Sequence, residues 1–225
     1  MSLPEPGFVI AIDGPAAAGK SSTARAVARE LGIRHGDSGA LYRAATAARI
    51  GRGGDPSTWT EQSVLDAAGR ISVRPGAGAF VVRIGEADAD ALIRSPAVTA
   101  HVSLVARMPR VRAWVNERMR ECATMGAIVV DGRDMGSAVF PDAALKVWLV
   151  AQKAERARRR SVEILGRVPS DEELAAEAIA LETRDAKDST QTAPAADAVA
   201  IDTTGLTPAE QVSRIVALAR ERLAR

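Results

Sequence analysis

Apolar residues in this chain fall into short unbroken runs, separated by longer stretches in which they recur every three or four positions. Phe8 to Ile12, Ala127 to Val130, Leu145 to Val150 and Ala198 to Ile201 are the clear runs. They do not alternate with polar residues, as a strand with one wet face would, so they read as strands buried on both sides. A shorter piece, Gly32 to Gly36, reads as a further strand leading into Asp37-Ser38-Gly39. The intervening stretches carry helix signals. Gly19 to Leu31 closes at Gly32, a C-cap residue. Ser38 is expected to cap a helix from Ala40 to Ile50, and Lys153 to Leu165 and Asp171 to Arg184 read as two more. The last helix opens on a capping box, with Thr207 at the cap, Pro208 in the first turn and Glu210 three residues on. Doubly buried strands alternating with helices predict an α/β fold with a parallel sheet covered on both faces. Ligands on such sheets bind beyond the carboxyl ends of the strands.

One stretch breaks the alternation. Between about residues 56 and 98 a helix from Trp59 to Arg70 is followed by Ile71 to Arg74 and Phe80 to Ile84, two short strands around Pro75-Gly-Ala-Gly78. That is a hairpin pattern, and it marks the segment as an insertion. Helices from Val98 to Arg107 and from Pro109 to Cys122 lead back to the alternating pattern.

The first strand ends in Asp13, and Gly14, Pro15, Ala16, Ala17, Ala18, Gly19, Lys20 and Ser21 follow, matching G-x-x-x-x-G-K-[ST] at every fixed position. A strand before it and a helix after it are the context the motif requires. The glycines let successive backbone N–H groups face a phosphate, and the helix N-terminus adds partial positive charge. In this reading Lys20 reaches the outer phosphates of a nucleoside triphosphate, and Ser21 ligates Mg²⁺. The loop alone does not separate a kinase from a GTPase or a motor ATPase. A guanine-specifying Asn-Lys-x-Asp does not occur, and Asp202-Thr-Thr-Gly205, though it matches D-x-x-G, reads as structural.

Composition narrows the field. In 225 residues, 47% are hydrophobic and 26% charged, enough for a sizeable core and too apolar for disorder. The formal charge is only +2, and of 30 basic residues all but Lys20, Lys146, Lys153 and Lys187 are arginine. Without a long basic run no nucleic-acid partner is expected, and the arginine excess suits planar recognition of anions. One cysteine and two histidines leave no intramolecular disulfide and no Cys-based zinc site. Apolar stretches are too short to cross a membrane, and the first residues have no signal-peptide pattern, so a cytoplasmic location is expected.

Three further segments accompany the phosphate loop. They are Asp37-Ser38-Gly-Ala-Leu-Tyr-Arg43, Asp131-Gly-Arg133-Asp134-Met-Gly136 with Val139-Phe-Pro-Asp142, and Arg184-Asp-x-x-Asp188-Ser189. With Asp13-Gly-Pro-x-x-x-Gly-Lys-Ser-Ser22 they closely resemble the bacterial cytidylate kinases, in order, over about residues 8 to 220. The resemblance implies a nucleoside monophosphate kinase fold with a five-stranded parallel core (residues 7–55, 99–152 and 185–225). It also implies a monophosphate-binding insertion (56–98) and a helical lid (153–184). The implied reaction moves the γ-phosphoryl group of ATP to CMP or dCMP, with Mg²⁺, in a monomer.

The resemblance also implies roles. The loop from Gly14 to Ser22 holds the ATP phosphates, and Asp131 joins Ser21 at Mg²⁺. Arg43 and Arg133 bind the acceptor phosphate, Arg184 acts in catalysis at the transferred or the acceptor phosphate, and Ser38 and Asp188 bind the ribose. Ser103, Arg112 and Asp134 read the base, with Arg107 and Arg110 competing with Arg112 for its place. From the basic helix, Arg156 and Arg160 are expected at the transferred phosphoryl group. The chain departs from the family at Gln191, where a second arginine is usual. Base chemistry supports the base-reading set independently, since cytosine presents an amino donor at N4 beside acceptors at N3 and O2. His35 reads as an ordinary loop histidine, Cys122 as a small helix residue, and Trp114 and Trp148 as packing residues. Rival readings are a kinase for another small acceptor such as UMP, AMP or shikimate, a nucleotide-dependent switch, and nucleic-acid binding through the basic helix.

Overall fold

The computed structural model describes residues 5–188 and 192–224, except the side chains of Lys187 and Asp188. Five strands form the central sheet: β1 (Val9–Asp13), β2 (Arg34–Asp37), β6 (Ile128–Asp131), β7 (Leu145–Val150) and β8 (Val199–Asp202). Their spatial order is β2-β6-β1-β7-β8, and every pairing is parallel. The two faces explain why the runs in β1, β6 and β7 are not amphipathic, whereas β8, at the sheet edge, is buried at Ile201 and exposed at Ala200, contrary to the expectation of two covered faces. Ile10 and Ile12 of β1 pack with Val27 of α1 (Lys20–Leu31) and Ile215 of α9 (Pro208–Leu223) on one side. Val9 and Ala11 pack with Leu41 of α2 (Ser38–Ile50) and with Val115 and Met119 of α6 (Pro109–Thr124) on the other. Cys122 is buried in this second layer, and Trp114 packs against it.

The interrupting segment forms a separate antiparallel sheet of β3 (Ile71–Pro75), β4 (Phe80–Ile84) and β5 (Ala87–Asp88). It is flanked by α3 (Glu61–Ala68), α4 (Asp90–Ile93) and α5 (Pro96–Val105). Ile71, Val82 and Ile84 cover Ala44 and Ala47 of α2, and the His35 N–H donates to Gly78 O at 3.1 Å. The hairpin tip thereby occupies the open edge of β2, an edge that would otherwise invite pairing with another chain. The basic segment forms α7 (Lys153–Leu165), which packs against α8 (Asp171–Asp188).

Several boundaries differ from those read in the sequence. Ser38 does not cap α2: the cap is Asp37, whose carboxylate accepts from Ala40 N at 3.0 Å, and Ser38 is the first helical residue. β2 begins at Arg34 because Gly32 is a left-handed C-cap (φ 68°) and Ile33 N still bonds back to Ala28 O at 2.9 Å. α3 begins at Glu61, capped by Thr60 in a reciprocal arrangement with Ser63, while Trp59 is buried ahead of it. α8 continues past Arg184 to Asp188. The Thr207–Glu210 capping box forms as read.

Two glycines set the approach of loop to sheet. A Cβ on Gly14 (φ 151°) would lie 2.3 Å from the backbone oxygen of Leu149, whereas one on Gly36 would meet the movable ends of Ile128 and Met119 at 2.7 and 2.9 Å. Gly14→Ala is expected to cost about 2–3 kcal/mol, since β7 backbone cannot yield, lowering the thermal midpoint by about 4–12 °C. Gly36→Ala should cost less than half as much. Equal shifts in calorimetric melts of the two variants would contradict this packing.

Candidate active site

The carboxyl ends of β1, β2 and β6 meet the N-termini of α1 and α2 at a cleft of about 350 Å³. Its lining brings together Lys20, Ser21, Ser38, Arg43, Ser103, Arg112, Asp131, Arg133, Asp134 and Arg184 from the sequence-predicted set. Tyr42, Arg25, Arg94, Arg107 and Glu163 also line it.

The phosphate loop curls by unusual backbone angles. Gly14 (φ 151°), Ala17 (φ 58°) and Gly19 (φ 88°) all have positive φ, and α1 starts at Lys20 immediately after. Such a turn leaves the first N–H groups of the helix facing the concavity. The Lys20 ammonium donates to Pro15 O at 2.7 Å. Burial, reinforced by the charge of Arg133, brings its pKa down from 10.5 to about 8.

Asp131 is the centre of the polar network. It ends β6 opposite Asp37 of β2 and Ile12 of β1. One carboxylate oxygen lies 2.6 Å from His35 Nε2, the other accepts from the Ser21 hydroxyl at 2.5 Å, and its backbone oxygen accepts from Ser38 Oγ at 2.9 Å. Burial pushes the Asp131 pKa up, but the hydrogen bonds from His35 and Ser21 and the nearby Lys20 charge overcome this and hold it below the usual range. Asp37 moves the other way, raised by burial and then by the charge of Asp131. Asp13, at the end of β1, accepts from Met135 N at 2.9 Å and Gly136 N at 2.7 Å, and burial lifts its pKa to about 6 against those two bonds.

Sequence reasoning missed His35. It is buried and bound to the central carboxylate, not a loose loop residue. Its position two residues before Asp37, on a strand whose neighbour ends in Asp131, was the available signal. The anchoring use of Asp13 was also missed, although an acid at a strand end just before the loop was in plain view.

Farther along the cleft, Arg112 pairs with Asp134 through Nη2 and donates from Nη1 to Ala106 O at 3.3 Å. Its guanidinium carbon lies 6.0 Å from the Tyr42 ring centroid. Of the competing arginines, Arg107 lines the cleft and bonds Ser103 O, whereas Arg110 is not in the lining. Arg43 donates to Ile93 O at 3.3 Å and Thr99 Oγ1 at 3.0 Å. Burial and then the charge of Arg184 lower its pKa, so two cations sit close enough to repel. Such a pair is stabilised by an anion placed between them.

The arginines of α7 are mostly engaged. Arg158 and Arg159 bind Glu155, Arg160 binds Glu163 at 2.9 Å, and Arg167 beyond the helix binds Glu173. Arg156 is only 5% exposed and faces Ala16 and Asp185, away from the cleft lining. The side chain of Asp188, together with Ser189 and Gln191, lies outside the described residues. Among the described residues, no cluster of three or more His, Cys, Asp or Glu could hold a metal, and no helix is long and apolar enough to cross a membrane.

Comparison with known proteins agrees with this geometry. Residues 10–221 match the cytidylate kinase family. A cytidylate kinase of Geobacillus kaustophilus is 44% identical over 95% of this chain and 97% of its own length. A cytidylate kinase of Lactiplantibacillus plantarum is 40% identical over 92% of each. A bifunctional pantoate ligase/cytidylate kinase of Synechococcus sp. is 42% identical over 95% of this chain, which spans 43% of that longer protein. With a phosphate loop at one end of the cleft, an Arg–Asp pair at the other and arginines between them, the chain belongs to the cytidylate kinase family.

Proposed function

We propose that this protein transfers the γ-phosphoryl group of ATP to CMP or dCMP, giving ADP and CDP or dCDP. The observation that carries the reading is the Arg112–Asp134 pair, set in the same cleft as Arg43, Arg133, Arg184 and the phosphate loop. Asp134 supplies an acceptor for the N4 amino group and Arg112 donors for N3 and O2, which is the complement of cytosine and the wrong pattern for uracil. Exposed Ser103 at the cleft wall completes the base set.

Arg43, Arg133 and Arg184 hold the acceptor phosphate. With a second pKa of about 6, that phosphate is largely dianionic at neutral pH, so it needs no general base. Its oxygen attacks the γ-phosphorus, the bond from that phosphorus to the β–γ bridging oxygen breaks, and ADP carries the electron pair away. Catalysis is then alignment and charge neutralisation by Lys20, the loop N–H groups and the arginines. Ser38 and Asp188 hold the ribose. Arg160, on α7, reaches the transferred group as the lid region (153–184) closes, and the insertion (56–98) contributes Ile93 and Arg94 to the cleft wall beside Arg43. The hydroxyl of Ser21 and the carboxylate of Asp131 lie together beside the loop, the hard oxygen pair that Mg²⁺ accepts alongside phosphate oxygens and water. When bound there the ion supplies charge to the phosphates. In this reading the protein is a cytoplasmic monomer that acts on small molecules, and its formal charge is only +2.

ADP release measured with ATP, Mg²⁺ and each of CMP, dCMP, UMP, AMP, GMP and shikimate tests the reading directly. Turnover with CMP and dCMP is expected, and turnover confined to another acceptor would overturn the cytosine assignment. Asp134→Asn should cut the CMP-to-UMP ratio of kcat/KM about tenfold or more, since one buried hydrogen bond to the base is lost. A ratio equal to that of the parent would place base reading elsewhere.

Lys20 adds a pH signature. Its folded pKa of about 8 leaves part of the free protein neutral at this position between about pH 8 and 9. Triphosphate favours the ammonium, so ATP binding should take up protons in that window and not at pH 6.5. Calorimetric titrations in two buffers of different ionisation heat should show this uptake, and Lys20→Met should abolish both it and transfer. The same uptake in Lys20→Met would assign the proton to another group.

A further inference from the structure

Arg156 is the most deeply buried arginine of α7, and its guanidinium is turned onto the phosphate loop. Nη1 donates to Ala16 O at 3.0 Å and to Asp185 Oδ2 at 2.6 Å. The other Asp185 oxygen accepts from Ala16 N at 3.3 Å. Both hydrogen-bonding groups of Ala16 are thus tied to one ion pair that joins α7 to α8.

We infer that Arg156 and Asp185 are positioning residues that hold the phosphate loop in the curvature needed to bind ATP. What the loop binds rests on the function proposed above. The reason for a tether lies one residue on. Among the described residues, Ala17 is the only non-glycine at positive φ, 58°. Left-handed backbone is disfavoured for any residue with a Cβ and persists only where its surroundings over-determine it. The carbonyl that Arg156 grips belongs to the peptide leading into Ala17, so rotating that peptide toward ordinary angles requires breaking the Arg156 bond.

The packing adds to the tether. Ala16, Ala157 of α7 and Leu181 of α8 are buried against one another, with Ala17 and Ala178 beside them. The small residues of the loop therefore serve as a seat for α7 and α8. Without the ion pair, the Ala16–Ala17 peptide rotates and the N–H groups that follow leave the concavity. Arg156 acts on ATP through the loop, not by touching the phosphoryl group. Charge-assisted bonds suit this task because they are short and directional, and the guanidinium serves two acceptors at once.

The test separates this role from a catalytic one. Arg156→Met should raise the KM for ATP about tenfold or more, the loss of one charged hydrogen-bond set, while kcat falls less. Asp185→Asn should move the same constant in the same direction, and Arg156→Lys, which keeps the charge but only part of the geometry, should lie between. The decisive measurement is Ala17→Gly, made in the parent and in Arg156→Met. Glycine adopts positive φ without penalty, so it should recover most of the lost ATP affinity in the Arg156→Met background. No recovery, with kcat collapsed and KM unchanged, would overturn the inference and make Arg156 a catalytic residue. Affinity is read by calorimetric titration of ATP without acceptor. A parent that binds ATP yet fails to phosphorylate CMP would refute the proposed function and leave this test standing. If Arg156→Met does not fold, Asp185→Asn with and without Ala17→Gly carries the same comparison.

Discussion

The cleft depends on how one buried carboxylate is satisfied. Asp131 ends the strand next to the centre of the sheet, where water is excluded, and a buried charge there is costly unless every lone pair finds a partner. It finds them on three elements: His35 on β2, Ser21 at the start of α1, and Ser38 of α2 on its own backbone oxygen. These bonds hold the end of β6 against β2 and against the N-termini of α1 and α2. Asp13 does a parallel task on the other side, pinning the turn after Asp134 to β1 through two backbone N–H groups. The spacing between the phosphate loop and the Arg112–Asp134 pair is therefore a property of the sheet end.

What the sequence could show follows from the range of the interactions involved. Strands buried on both faces announce themselves by composition alone, and the capping box at Thr207 is complete within four residues, so these elements were legible. The phosphate loop was legible because a backbone turn with fixed glycines is a local object. Errors arose where two nearby residues compete for one job. Asp37 and Ser38 can each cap a helix, and Asp37 wins because Ser38 is bound to Asp131 O.

The sequence shows which residues come to line the cleft better than how they are bonded there. The place of His35 two residues before Asp37 was a weak signal, because its partner lies 96 residues away and a histidine beside a loop is usually solvated. Arg156 and Arg160 are four apart on one helix and look equivalent in sequence. Packing separates them: Arg156 is buried against Ala16, 140 residues distant, while Arg160 meets Glu163 one turn away. Arg107, Arg110 and Arg112 look equally suited in sequence, and it is Arg112 that pairs with Asp134.

The acids set against the arginines of α7 and of the turn after it have a consequence for the field this segment presents. Glu155, Glu163 and Glu173 each sit against an arginine that would otherwise project into solvent. A helix this rich in guanidinium groups, left bare, would attract polyanions without selection. Glu155 spans two of these arginines, Arg158 and Arg159, while Arg160 and Arg167 each have their own glutamate, at 2.6 to 2.9 Å. Paired charges cast a shorter-ranged field than bare ones, so an anion that is to bind one of these arginines has first to displace a glutamate.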